Sequence, residues 1–113
     1  MPERNRATNP PTSHLTQENE ALRQARLDTD TRTALRYIAD RLDHIQPHRL
    51  MTEANRIGIA LTAAHHTRDQ QPPTAIDELE NHLLRRMPYA TSRAITRAEY
   101  AAQLRLIAQG VRL

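Results

Sequence analysis

Lysine, cysteine, phenylalanine and tryptophan are missing from this 113-residue chain, and glycine occurs only at Gly58 and Gly110. Each absence removes a class of protein. Without cysteine there is no disulfide scaffold, thiolate zinc site or thiol nucleophile. Two isolated glycines cannot build the loop that cradles a nucleotide phosphate. The longest clean apolar run, Ile57 to Leu61, falls far short of the roughly twenty residues a membrane span needs. Nothing in Met1 to His14 resembles a signal peptide, so no membrane is expected and the expected location is cytoplasmic.

Large apolar side chains are scarce as well. Leu, Ile and Val together number 21, below the share usual for a well-cored globule, and three tyrosines supply all the aromatic area. High net charge, the other half of the signature of disorder, is absent, since the formal charge is only +3. What remains is 16 alanines, 16 arginines and a helical rhythm. An arginine-only basic complement beside so much alanine fits a GC-rich coding genome, which by itself explains part of the basic character.

The pattern predicts an all-α protein, a small bundle of four to five helices with a disordered N-terminal tail. Residues 1–15 carry three prolines and no apolar periodicity, and are read as that tail; residues 16–113 form a single helical domain. Thr16 is a fair N-cap for a first short helix with Ala21, Leu22 and Ala25 on a thin apolar face. Asp28-Thr29-Asp30-Thr31 is better capping than helix material and predicts a break there, with one long bent helix as the rival. Leu35, Ile38, Leu42 and Ile45 then define a helix over 31–46. Pro47 is expected to open the next, over 48–66, with Leu50, Ala54, Ile57, Leu61 and Ala64 facing inward. A third main helix spans 75–87, capped by Thr74 and turning Ile76, Leu79 and Leu83 to the core.

The last helix, 97–109, is specified at both ends. Thr96 and Glu99 form a capping box, Ile95 and Tyr100 occupy the staple positions, and Gly110 with Val111 suits a Schellman ending against Leu106. Tyr100, Leu104 and Ile107 supply its buried stripe. Short connections predict that sequential helices pack antiparallel.

Two features carry the functional expectations. Residues 81–113 hold six arginines against Glu99 alone, a local charge of +5, and Arg85, Arg86, Arg93 and Arg97 form the candidate basic binding surface. Against that stands the ordinary use of Arg85 and Arg86 to complement a helix dipole. A helix-turn-helix is a weak match, because the connection from Met87 to Ile95 is long and lacks glycine. The second feature is the row Ala54, Gly58 and Thr62, whose small side chains at four-residue spacing suit close helix packing with this chain or a second copy.

Six histidines show no metal-ligand spacing: Pro47 interrupts His44 and His48, and the adjacent His65 and His66 diverge on a helix. Neither Ser13 nor Ser92 has the setting of a nucleophile. No catalytic, cofactor or metal residues are therefore assigned. The expectation is a non-enzymatic interaction or regulatory module that binds a protein partner or self-associates, because so thin a core gains from added burial. The alternative is nucleic-acid binding through the arginine-rich C-terminal third.

Overall fold

A computed structural model describes the backbone of residues 2–90 and 94–112 and the side chains of residues 15–90 and 94–112. Four α-helices make up the fold: α1 (Pro2–His44), α2 (Glu53–Thr67), α3 (Pro73–Arg86) and α4 (Arg97–Ala108). The tail expected over residues 1–15 falls, apart from Leu15, on side chains outside those described.

Residues 28–31 do not break α1; the helix passes straight through them. The groups that could have ended it are bound inside it. The Thr29 and Thr31 hydroxyls donate to the carbonyls of Ala25 and Leu27 at 3.0 and 2.7 Å, four residues back, and Gln24 donates to Asp28 at 3.1 Å. Asp30 accepts from Arg68, far along the chain. N-terminal to this point α1 runs as an arm: every residue from Leu15 to Arg26 is exposed, including Ala21, Leu22 and Ala25, which form no buried face.

Cross-links set the helix directions. Arg68 at the end of α2 meets Asp30, and the ring of His66 stacks on Tyr37 with centroids 4.1 Å apart, so α2 runs antiparallel to α1. Arg56 reaches the carbonyls of Leu84 and Met87 while Arg68 reaches that of Ala75, so α3 runs antiparallel to α2. The expected hairpin of the last two helices does not form. Instead α4 turns back onto α1, its main packing partner, with Arg97 at Ile45 and Arg105 at Asp40.

The core is built from Leu35, Ile38 and Leu42 of α1, Leu79 and Leu83 of α3, and Tyr100, Leu104 and Ile107 of α4. Ile45, expected inside, is exposed. The inward face of α2 also differs from the expectation: Arg56, Ala60, Ala63 and Ala64 are buried, whereas Leu50, Ile57 and Leu61 face solvent. Alanines fit the narrow space between α1 and α3, and Arg56 replaces an aliphatic anchor because its guanidinium finds acceptors there.

Residues 47–52 are not helical. Their carbonyls serve α4: Pro47 and Arg49 accept from the first-turn amides of Ala98 and Arg97 at 2.9 and 2.8 Å, and Met51 donates to Ile95 at 2.8 Å. Orphan donors at the start of α4 are thereby satisfied. Helix α2 starts only after Thr52, whose hydroxyl accepts from the Asn55 amide. Helix α3 begins at Pro73 rather than after Thr74, since two prolines set the backbone angle and remove donors that would need a cap. Both ends of α4 match the expectation. Thr96 and Glu99 exchange their bonds, and Gly110 at φ 94° donates to Ile107 while Val111 donates to Leu106, the full Schellman pair.

Candidate functional site

Arginines divide into two populations. Arg56 and Arg68 are each 4 % exposed and saturated with partners. Arg68 donates to Asp30 at 2.9 Å, Glu78 at 2.9 Å and the Ala75 carbonyl at 2.7 Å, tying α1, α2 and α3 together. Arg56 donates to Glu53 at 3.0 Å and to the carbonyls of Leu84 and Met87. Helix α3 ends on those carbonyls, so Arg56 satisfies acceptors that its helix leaves open.

The second population lines an open groove. Arg32 and Arg36 of α1, Arg86 at the end of α3, and Ile107 to Gly110 at the end of α4 and just past it line a groove of about 600 Å³. A neighbouring groove of about 810 Å³ shares Arg86, Ile107 and Gly110 and adds Arg85, Tyr89 and Arg112. Arg32, Arg36, Arg85, Arg86 and Arg112 are all exposed, and none forms an ion pair among the described residues. Asp28 is the one carboxylate lining either groove. Helix α3 and helix α4 both end here, and each C-terminus contributes about half a negative charge. Five guanidiniums against one carboxylate and two helix ends leave about +3, so dipole compensation does not consume the cluster.

His82, on the adjoining face of α3, senses this field. Burial, followed by the charge of Arg86, holds its pKa below the ordinary histidine value, against the opposing pull of Asp28. Its Nε2 has no hydrogen-bond partner among the described residues.

The basic surface expected from sequence is reassembled by the fold. Arg85 and Arg86 belong to the groove. Arg97 does not: it sits at the opposite end of α4, and its Nε donates to the Ile45 carbonyl at 2.9 Å, closing the end of α1. Arg93 lies outside the described residues. Arg105, another member of the basic third, is held by Asp40 and Asp43. Arg32 and Arg36 were missed because their stretch of sequence sums to zero charge. The sequence offered only the i, i+4 spacing of the two arginines; it is the fold that binds Asp40 to Arg105 and leaves Asp28 accepting from Gln24.

The row Ala54, Gly58 and Thr62 lies on the solvent side of α2, and no helix crosses it among the described residues. A Cβ added at Gly58 would meet nothing within 4 Å. Ile57 and Leu61, 49 % and 41 % exposed, flank the row. The Thr62 hydroxyl donates to the Gly58 carbonyl at 3.1 Å and so is satisfied within the helix.

The histidines are dispersed. His44 Nδ1 bonds the Asp40 carbonyl, His66 stacks on Tyr37, and Glu78, one helical turn before His82, is held by Arg68. Among the described residues no three His, Asp or Glu side chains gather as metal ligands, and no helix is long and apolar enough to cross a membrane. No protein-family model, curated protein or solved structure matches the chain.

Proposed function

We propose that the chain is a small non-enzymatic helical interaction module that self-associates through the outward face of α2. The observation that carries this reading is the solvent-facing row Ala54, Gly58 and Thr62 with Ile57 and Leu61 exposed along one side of it. Glycine inside a helix costs about 1 kcal/mol relative to alanine. Gly58 repays none of that within its own chain, because no neighbour approaches it. A second α2 crossing at Gly58 would use the gap. None of the five residues in the stripe is charged, and the nearest cations, Arg41 and Arg97, line the edge of the depression beside it.

The distribution of apolar area supports the same reading. Among the described residues eight Leu, Ile and Val side chains are at least 40 % exposed, a large share for a chain with only 21 of them. Sequestering Ile57 and Leu61 would enlarge a core that the chain alone leaves thin.

Light scattering across a dilution series tests it. The expected result is a dimer mass that persists from low to moderate salt, since apolar contacts respond little to screening. Gly58→Leu should give a monomer of unchanged helical content, more stable by about 1 kcal/mol when dilute because the open site accepts the side chain. A monomer mass at every concentration rejects self-association.

A further inference from the structure

We propose that the two adjoining grooves between α1, α3 and the end of α4, which share Arg86, together bind single-stranded nucleic acid, with Arg32, Arg36, Arg86 and Arg112 on the phosphates and a base stacked on Tyr89.

The charge cluster is costly to the fold and unexplained by it. Arg32 and Arg36 stand one turn apart on α1, where like charges repel, and Arg86 joins them across the same groove. Asp40 is bound by Arg105, and Asp28, which lines the groove and accepts only from the neutral Gln24 amide, joins the two helix ends in offsetting about two of the five charges. A guanidinium presents a planar fork of donors that matches phosphate oxygens, and exposed arginines along two grooves joined at Arg86 can follow a backbone of repeated phosphates.

Tyr89 selects nucleic acid over an acidic protein. It is 71 % exposed in a chain with three tyrosines, and it lines the same groove as Arg86 and Arg112. One side of its ring is braced by the Arg56 guanidinium, 4.6 Å from the centroid. Arg56 is itself anchored on the carbonyls of Leu84 and Met87, so the ring is held in place while most of its surface stays open. A fixed, exposed aromatic ring beside unpaired arginines is the pairing used to hold unpaired bases. Single strands are favoured over duplex because stacking on Tyr89 needs a base with a free face, and the site is concave rather than a projecting reading helix.

Fluorescence anisotropy with a labelled oligothymidine of about 20 nucleotides, longer than a typical single-strand site of about 4–16, tests the proposal. Affinity should fall steeply between about 50 and 200 mM salt as counterions are released. Replacing each of Arg32, Arg36, Arg86 and Arg112 by Gln should lower the salt slope by about 0.7, and the quadruple variant should not bind. Tyr89→Ala should weaken binding about tenfold at an unchanged slope, and Tyr89→Phe should restore it. Circular dichroism of each variant should match the parent, since all five side chains are exposed.

Three results would overturn the proposal. The first is no binding at low salt, and the second is full binding by the quadruple variant. The third is equal affinity for duplex or poly-glutamate together with indifference to Tyr89→Ala, which would leave a generic cation surface.

Discussion

Arg68 and Arg86 lie near opposite ends of the α3 layer and have opposite surroundings. Around Arg68, two carboxylates and a carbonyl converge on one buried guanidinium. Around Arg86, further guanidiniums converge on open space. A compositional bias toward arginine accounts for how many there are, but not for where the acceptors lie. What an arginine does in this chain is set by the supply of oxygen around it. With acceptors from two or three helices it becomes a cross-link; without them its charge remains available to something outside the chain.

The largest expected effect comes from removing an inner arginine. Breaking a buried ion pair on one side typically costs about 3–5 kcal/mol. Asp30 and Glu78 keep 22 % and 32 % of their side-chain surface, so water can partly rescue them, and the loss for Arg68→Met should lie near the lower figure. Urea denaturation reads it directly. Adding Asp30→Asn and Glu78→Gln to Arg68→Met should recover part of the loss, since no charge is then stranded. If the single variant unfolds within about 0.5 kcal/mol of the parent, the cross-link adds nothing beyond an ordinary surface substitution.

That cross-link explains where the sequence was legible and where it was not. Both ends of α4 were readable because their chemistry is local: Thr96 bonds Glu99, and Gly110 with Val111 closes on Ile107 and Leu106. The apolar stripe of α3, and Leu35, Ile38 and Leu42 on α1, were readable from spacing alone, whereas Ile45 and the row Ala21, Leu22 and Ala25 had the same spacing and are exposed. The continuity of α1 through Asp30 was not, because the partner that occupies Asp30 sits 38 residues away. Nor was the inward face of α2, since a period count treats Arg56 as polar and the carbonyls that bury it lie 28 and 31 residues further on. The basic groove was half visible. Summing charge along the chain found Arg85 and Arg86, but only the fold adds Arg32 and Arg36 and removes Arg97 and Arg105 from the set.

A smaller effect sharpens the same contrast through His82, which lies between the two regions on α3. Its pKa is lowered from the ordinary 6.5 by burial and then by Arg86. The sign follows from linkage. Below the ordinary value the unfolded chain takes up a proton that the folded chain resists. Stability is therefore whole at neutral pH, falls as pH drops below 6.5, and levels off once pH passes the folded value. The difference in pH slope between the parent and His82→Leu isolates this contribution. Arg86→Gln should move the imidazole titration, followed by NMR, back toward 6.5. An imidazole that titrates identically in both proteins would mean the groove carries no field at that distance.

The smallest expected effect is the one that most cleanly separates the two populations. Arg36 is exposed, forms no ion pair among the described residues and shares a helix face with Arg32. Replacing it by Gln retains helix propensity almost unchanged. It also removes a like-charge i, i+4 pair, which is worth about 0.2–0.5 kcal/mol. Arg36→Gln should therefore leave stability unchanged or raise it by a few tenths, the opposite sign to the loss at Arg68. Adding salt should shrink this gain, because the repulsion it relieves is screened at the surface. Urea midpoints at low and at about 1 M salt, where the Debye length is about 3 Å, supply both readings. A loss above about 1 kcal/mol would place Arg36 among the structural arginines and remove one of the charges on which the groove depends.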